Sequence, residues 1–318
     1  MIQLRSVTKR FGKRLAVDQL SLEVQAGEIF GLLGHNGAGK STVIGLLLGQ
    51  VWPTSGRVIV CGYDVTLNRR RALEQVGAIF ETPAFYDYLT GYQNLVIFSS
   101  YTAATPPARI KEVIDWVGLA GREHSLVRTY SHGMRARLAI AQALLPQPRL
   151  LLLDEPNEGL DPEGIHEMRQ TILRLHDELG LTILLSSHLL HEVQQLCTRI
   201  AVIRQGRKVY EGPVLGAGGR SRWWRLATSN FDDAVALLRG ARLVGRSTPT
   251  GEIELEDGVT SDRVVRILVE NGFPVFEMAR EENTLEAFYL SLMQGPDSER
   301  SLTGVVPGTE SKDCNLGW

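Results

Sequence analysis

Cysteine is scarce in this sequence, with three residues among 318. Cys61, Cys197 and Cys314 are widely separated, so they match neither the spacing of a metal site nor a disulfide framework. We therefore expect a reducing compartment such as the cytosol.

Long apolar runs and a strong charge imbalance are also missing. No run approaches the roughly 20 apolar residues that a membrane-spanning helix needs. The N-terminal segment MIQLRSVTKRF lacks the apolar stretch of a signal peptide. If the protein works at a membrane, another chain must supply the span. The net charge of -2 gives no general attraction to nucleic acid, so we expect no nucleic-acid partner.

Short apolar runs alternate with amphipathic segments over the first two thirds of the chain. A length of 318 residues allows one large domain or two ordinary ones. Strands are predicted at Gly27–Gly34, Val76–Phe80, RLLLLDEP and LTILLSSH. Helices are predicted at KSTVIGLLLG, PPARIKEVIDWVGL, GMRARLAIAQALL and after Asp161, whose side chain caps a helix that starts at Pro162. This alternation predicts an α/β fold with a parallel sheet covered on both faces.

The pattern changes after Gly212. Strands are predicted at SRWWRLAT, ARLVGRS, GEIELED and PVFEMARE, and helices at NFDDAVALLRG, TSDRVVRILVENG and TLEAFYLSLM. Asn230 and Thr284 are the expected caps of the first and last of these helices. The order β-α-β-β-α-β-α predicts a small α+β accessory domain of ferredoxin-like type.

A glycine-rich segment, GHNGAGKST, stands between a predicted strand and a predicted helix, the context in which a phosphate-binding loop is meaningful. Glycine allows backbone N–H groups to wrap phosphates at a helix N-terminus. Lys40 would reach the β- and γ-phosphates of ATP, and Ser41 would offer a hydroxyl oxygen to Mg²⁺. The predicted ATP-binding residues of this loop are Gly34, His35, Asn36, Gly37, Ala38, Gly39, Lys40, Ser41 and Thr42.

Two adjacent acids end the predicted strand RLLLLDEP. Buried carboxylates need a metal, a partner or an edge position. Asp154 is suited to hold Mg²⁺, and Glu155 is suited to polarise an attacking water as the catalytic acid–base group. The alternative is a strand-end acid that caps the next turn.

The segment YSHGMRARLAIAQALL completes a set of motifs in a familiar order. Over about residues 1–212 the chain resembles the nucleotide-binding subunit of an ABC transporter. The resemblance implies a parallel core sheet, an antiparallel N-terminal β subdomain and a helical subdomain. It also implies a head-to-tail dimer in which the signature loop of one subunit contacts the ATP of the other. That loop is Ser131, His132, Gly133 and Met134, where His132 replaces the usual glycine and Met134 the usual glutamine.

Further roles are implied by the same resemblance. Phe11 matches the aromatic residue that stacks on adenine, although a phenylalanine there can also be core. His188 matches the catalytic histidine that contacts the γ-phosphate. Gly159, Leu160 and Asp161 match a loop that senses the opposite site, although helix capping explains Asp161 almost as well.

Glu81 stands where most of this family has a glutamine that reaches Mg²⁺ and the attacking water. The segment ETPAFYDYLTGYQNL resembles the bacitracin-resistance and lantibiotic-immunity branch of bacterial ABC exporters, in which glutamate is frequent at this place. We therefore expect Glu81 to act on the magnesium side, together with Ser41 and Asp154. The aromatics Phe85, Tyr86 and Tyr88 either form a docking surface for a membrane subunit or pack the subdomain.

The resemblance implies an ATP- and Mg²⁺-dependent ATPase subunit of an exporter at the cytoplasmic face of the membrane. Its partners would be polytopic membrane subunits and a second ATP-binding subunit, as a homodimer or a heterodimer. The alternatives are a non-transport ABC ATPase, a small-molecule kinase with the same loop, and a regulatory switch that binds ATP without turnover.

The expected boundaries follow from the motifs and the change of pattern. We expect a nucleotide-binding domain at residues 1–212, with its helical subdomain at about 85–145. A linker at 213–220 and the accessory domain at 221–294 would follow, and a disordered tail would occupy 295–318.

Overall fold

A computed structural model describes residues 1–80, 82–102, 105–214, 220–282 and 285–294. The strands in these ranges are β1 (Ile2–Phe11), β2 (Arg14–Val24), β3 (Ile29–Leu33), β4 (Ser55–Val60), β5 (Tyr63–Asp64), β6 (Val76–Ile79), β7 (Leu150–Asp154), β8 (Thr182–Ser187), β9 (Arg199–Arg204), β10 (Arg207–Pro213), β11 (Arg220–Thr228), β12 (Val244–Ser247), β13 (Glu252–Leu255) and β14 (Val275–Glu282). The helices are α1 (Lys40–Leu47), α2 (Arg69–Leu73), α3 (Gly91–Thr102), α4 (Pro107–Trp116), α5 (His132–Leu144), α6 (Pro162–Leu179), α7 (Leu190–Leu196), α8 (Phe231–Gly240), α9 (Ser261–Glu270) and α10 (Leu285–Gln294).

A six-stranded sheet forms the centre, in the order β10-β9-β3-β8-β7-β6. Its strands pair in parallel except for β10, which returns antiparallel to β9. Every residue of β3, β7 and β8 is buried, as expected for strands covered on both faces.

Alternate residues of these central strands enter two different cores. Leu151 and Leu153 face the core that contains α4, α5 and α6, whereas Leu150 and Leu152 face the core that contains α1. This follows from the two-residue period of a strand. The predicted parallel sheet with two covered faces is confirmed.

An antiparallel sheet of order β2-β1-β4-β5 stands beside α1 and closes the second core. The hairpin between β1 and β2 turns at Gly12, which has a φ of 56°, so that Phe11 pairs with Arg14. On the other side, α3, α4 and α5 pack together as the helical layer that the resemblance implies.

A third sheet, of order β12-β13-β11-β14, is antiparallel throughout. With α8 and α9 it has its own apolar core, which includes Leu226, Leu238, Ile253 and Leu268. The connection β-α-β-β-α-β with this strand order has the ferredoxin-like arrangement that the sequence pattern predicts. Asn230 caps α8 by accepting from the Asp233 amide.

The last helix, α10, lies apart from this third core. Leu285 is fully buried in the core of the central sheet, and the Phe288 ring lies 4.8 Å from the Tyr210 ring. Arg204 of β9 donates to the carbonyls of Leu292 and Met293, which are among the carbonyls that a helix end leaves unpaired. The sequence pattern groups this helix with the accessory domain, but its contacts are with the central sheet.

No helix in the described ranges is both long enough and apolar enough to cross a membrane. Thr284, most of the predicted linker and the predicted tail at 295–318 lie outside the described residues.

Candidate functional site

The carboxyl ends of β3, β7 and β8 meet at one edge of the central sheet, where the predicted site residues follow. Ligands of open parallel sheets bind beyond this edge. Gly34 follows β3, Glu155 follows β7 and His188 follows β8.

The phosphate-binding loop runs from β3 into α1, as predicted. Gly37 and Gly39 have φ values of 82° and 115°, which residues with a side chain rarely adopt. A Cβ at Gly34 would lie 2.6 Å from the Ile203 carbonyl oxygen, and one at Gly39 would lie 2.7 Å from that of Ala16. The glycines are therefore required by close backbone packing around the loop.

Lys40 opens α1 and its side chain is only 6% exposed. Its ammonium donates to the Gly34 carbonyl at 2.6 Å and lies 3.1 Å from Glu155 Oε1. An isolated buried ammonium would be costly. The Gly34 carbonyl and the Glu155 carboxylate offset this cost. The loop therefore presents a fixed cation beside a helix N-terminus, which is suited to an anion.

An open cavity of about 330 Å³ lies in front of the loop. It is lined by Arg14, Ala16, His35, Asn36, Gly37, Gly39, Lys40, Ser41, Thr42, Glu155, Glu158 and His188. The structure thus brings most of the predicted loop together with two predicted catalytic residues. It also adds Arg14 and Glu158. Glu158 is the first residue of the matched segment EGLDP, but the resemblance assigned a role only to Gly159, Leu160 and Asp161.

Ser186 fixes the two acids at the end of β7. Its hydroxyl donates to Asp154 Oδ1 at 2.6 Å and accepts from the Glu155 amide at 3.0 Å. Asp154 is only 6% exposed, so this hydrogen bond compensates part of its desolvation. Glu155 has a φ of 49°, an uncommon conformation for a residue with a side chain and one that clusters at functional sites.

His188 lies between two carboxylates. Its Nδ1 is 2.9 Å from Glu155 Oε2, and its Nε2 is 3.9 Å from Glu158 Oε2. Glu155 therefore bridges Lys40 and His188, with one oxygen on each. The four side chains form a row in the order Lys40, Glu155, His188 and Glu158.

The predicted magnesium ligands are Ser41, Asp154 and Glu81, of which Glu81 lies outside the described residues. Ser41 lines the cavity, and Asp154 ends the strand next to it. Hydroxyl and carboxylate oxygens are the ligands that Mg²⁺ prefers, so this donor set fits the ion.

A second group also offers metal ligands, because atoms of Glu155, Glu158 and His188 lie within 4.8 Å of one another. However, the Lys40 ammonium already compensates the Glu155 charge at 3.1 Å. Ser41 and Asp154 are therefore the better magnesium candidates.

Phe11 lies at the end of β1 and is half-exposed, outside the lining of the cavity. The Lys9 ammonium stands 4.7 Å from the centre of its ring. Arg14, its partner across the hairpin, lines the cavity instead. Stacking of Phe11 on adenine stays a prediction.

The predicted signature loop begins α5. Ser131 caps the helix by accepting from the Met134 amide at 3.2 Å, and Met134 packs on the core. A Cβ at Gly133 would lie 3.6 Å from the Gly164 Cα, so this loop contacts the start of α6.

His132 lines a second cavity of about 510 Å³ together with Arg135, Glu155 and Glu158. Tyr130 also lines this cavity, and its hydroxyl donates to the Arg122 carbonyl at 2.8 Å. Burial raises the pKa of this hydroxyl, so it remains a donor.

Asp161 caps α6, as predicted, by accepting from the Gly164 amide at 2.9 Å. The turn before it uses Gly159 with a φ of 71°, and Leu160 packs on the core. Capping alone accounts for these contacts, so the sensing role of Gly159, Leu160 and Asp161 stays a prediction.

The aromatics after Glu81 form one cluster on α3. The Phe98 ring contacts those of Phe85 and Tyr86 at 5.9 and 6.2 Å between centroids. Tyr88 extends the cluster outward and is 71% exposed. The buried Asn94 holds the segment by accepting from the Tyr86 amide and donating to its carbonyl. Packing and an exposed aromatic edge are thus both present.

A glycine-rich loop between a central strand and a helix, with a buried lysine and acids at the end of a neighbouring strand, defines a phosphate-loop nucleotide-binding protein. The family model described as "ABC transporter" matches residues 17–158.

Two curated relatives match along most of their length. The bacitracin transport ATP-binding protein BcrA of Bacillus licheniformis is 36% identical over 305 residues, covering 93% of this chain and 98% of the relative. The linearmycin resistance ATP-binding protein LnrL of Bacillus subtilis is 37% identical over 305 residues, covering 92% and 98%.

A solved structure shows the same fold. The cbiO1 protein of Clostridium perfringens, part of the ABC transporter complex cbiONQ, superposes with a TM-score of 0.62 at 26% identity. The superposition covers 67% of this chain and 88% of that one. The chain therefore belongs to the ABC transporter family, as an ATP-binding subunit. The predicted family and fold are confirmed.

Proposed function

We propose that this chain hydrolyses ATP as the motor subunit of a bacterial exporter and drives efflux through separate membrane subunits. The single observation that carries the proposal is the position of Glu155, whose carboxylate lies 3.1 Å from Lys40 and 2.9 Å from His188. A lysine and a residue that orients water are two parts that a phosphate-loop hydrolase places around a γ-phosphate, and the resemblance adds the histidine.

In the proposed mechanism the γ-phosphate takes the hydrogen bonds that Lys40 and His188 now give to Glu155. Glu155 is thereby released from both side chains and accepts a proton from the attacking water. The loop amides and the N-terminus of α1 stabilise the charge that develops on the phosphate. Mg²⁺, when held by Ser41 and Asp154, would neutralise phosphate charge, and Glu81 is the proposed third contributor.

A second ATP-binding subunit is part of this proposal. Ser131, His132, Gly133 and Met134 stand at the N-terminus of α5, where a hydroxyl and backbone amides can meet a γ-phosphate bound by the opposite subunit. Phe11 would stack on the adenine, and the loop Gly159–Asp161 would sense the opposite site.

The exposed aromatic edge at Tyr86 and Tyr88 supports docking of a membrane subunit, which would hold this chain peripherally at the cytoplasmic face. The proposed cargo is a peptide antibiotic, another drug or a lipid. The names of the relatives, which concern bacitracin transport and linearmycin resistance, support the first two of these.

Hydrolysis is tested with the Glu155→Gln variant. Phosphate release should fall by about 100-fold or more, since acid–base catalysis contributes 10²–10⁴-fold, while ATP binding is retained. The control, Glu178→Gln, removes a surface carboxylate at the C-terminal end of α6. Its phosphate release should match that of the wild type. Equal phosphate release by Glu155→Gln and wild type would refute the assigned base.

Coupling to transport needs a separate experiment. The Glu155→Gln variant with ATP is used to capture partners from detergent-solubilised native membranes, and these are identified by mass spectrometry. A stoichiometric membrane protein with several spans is expected. Only soluble partners, under conditions in which ATP is still bound, would instead favour a non-transport ATPase.

A further inference from the structure

Glu158 stands at the site, directly before the predicted sensing loop Gly159–Asp161, but the sequence assigns it no role. It follows Glu155 in the turn after β7, where its amide donates to the Glu155 carbonyl at 3.1 Å. The side chain of Glu158 lines the cavity in front of the phosphate-binding loop and also the second cavity beside α5. It therefore lies at the boundary between the two spaces.

The two nitrogens of His188 face different acids. Glu155 is at Nδ1, 2.9 Å away, and Glu158 is at Nε2, 3.9 Å away. Glu155 is shared with Lys40, whereas Glu158 is half-exposed and lines the cavity. The contact with Glu155 is a hydrogen bond, whereas Glu158 at 3.9 Å is within ion-pair distance only.

The two contacts have different fates in the proposed reaction. Glu155 must leave Lys40 and His188 when it turns toward water, so its hold on the ring is temporary. Glu158 has no such task. It can stay beside the ring and favour a proton on Nε2 while Glu155 moves.

We infer that Glu158 is a positioning residue that holds the His188 ring at Nε2, so that Nδ1 can turn from Glu155 to the phosphate. The inference rests on the proposed hydrolysis by Glu155 and His188 and adds a fourth side chain to it. Glu158 touches neither water nor phosphate in this scheme and acts only through His188.

The test compares Glu158→Gln with the wild type, with Glu158→Asp, and with Glu178→Gln as the control for loss of a surface carboxylate. The kcat of Glu158→Gln should fall about fivefold, the upper end for an ion pair with a half-exposed partner, with KM for ATP within about twofold. Glu158→Asp, which keeps the charge on a shorter side chain, should fall between the wild type and Glu158→Gln.

A second readout reports on the histidine itself. The ring nitrogens of ¹⁵N-histidine-labelled protein, with His188 assigned through a His188→Gln variant, show which nitrogen carries a proton. In protein without added nucleotide, Glu158→Gln should lower the fraction protonated at Nε2. An unchanged His188 spectrum together with an unchanged kcat would overturn the inference.

The proposed hydrolysis and the role of Glu158 are refuted by different results. If the wild type releases no phosphate from ATP, the proposed hydrolysis is wrong, and the spectrum alone decides whether Glu158 orients His188. If the wild type hydrolyses ATP but Glu158→Gln equals it in kcat, hydrolysis stands and the role of Glu158 is refuted.

Discussion

Single residues at the site are held by neighbours that come from distant parts of the chain. Ser186 is 32 residues from Asp154, yet its hydroxyl orients that carboxylate and the Glu155 backbone together. The sequence shows two serines at the end of an apolar strand, but it does not show which of them contacts the acids. Only the parallel pairing of Asp154 with Ser186 decides this.

Replacing Ser186 with alanine should weaken the response to magnesium. Asp154 would lose a hydrogen bond worth about 1.5–3 kcal/mol for a charged group, so its carboxylate would be held less well in position. The magnesium concentration that gives half-maximal ATPase activity should rise about tenfold.

The matched control for this prediction is Ser187→Ala. Ser187 is the next residue in the same strand, and its hydroxyl accepts from the Leu189 amide instead. Identical magnesium curves for Ser186→Ala and Ser187→Ala would show that the contact with Asp154 has no functional weight.

At the scale of elements, helix starts carry both structure and predicted function. Asp161 caps α6 and Ser131 caps α5, and the start of α5 contacts that of α6 through Gly133 and Gly164. The sequence predicts both helix starts because cap residues act locally. It cannot separate capping from a contact with a second subunit, since one side chain can serve both.

Two substitutions at Asp161 separate these roles. Asn keeps the cap, so Asp161→Asn should retain the stability of the wild type, whereas Asp161→Ala should lose about 1 kcal/mol in urea unfolding. If Asp161 also senses the opposite site, Asp161→Asn should lower ATPase activity despite normal stability. Wild-type activity in Asp161→Asn would leave capping as its whole role.

At the scale of the whole molecule, the chain leaves the central sheet at β10, builds the third sheet and returns with α10. The return is anchored by Leu285, by Phe288 on Tyr210, and by the bonds from Arg204 to the end of the helix. We propose that residues 221–282 form the accessory domain and that α10 ties it to the nucleotide-binding domain at 1–212.

Cutting the chain between the two units should not separate them. With a protease site introduced between Val214 and Arg220, the two fragments should elute together in gel filtration after cleavage. The double variant Leu285→Ala with Phe288→Ala should release the fragments. Each truncation should remove about 2–5 kcal/mol of packing free energy between α10 and the nucleotide-binding domain. Co-elution of the fragments from both proteins would show that α10 is not the tether.

The sequence by itself determined the features that depend on nearby residues. Apolar runs gave β3, β7 and β8, a glycine pattern gave the phosphate-binding loop, and Asp161 and Asn230 gave their helix starts. Local propensity, capping and motif spacing act over a few residues, so they can be read before the chain is folded.

Tertiary structure alone decided which of these features meet. The row from Lys40 through Glu155 and His188 to Glu158 joins three strand ends, and α10 returns to a core that was built some hundred residues earlier. These contacts depend on parallel strand pairing and on burial of a common apolar surface. No local pattern encodes either, because both partners must first be folded against each other.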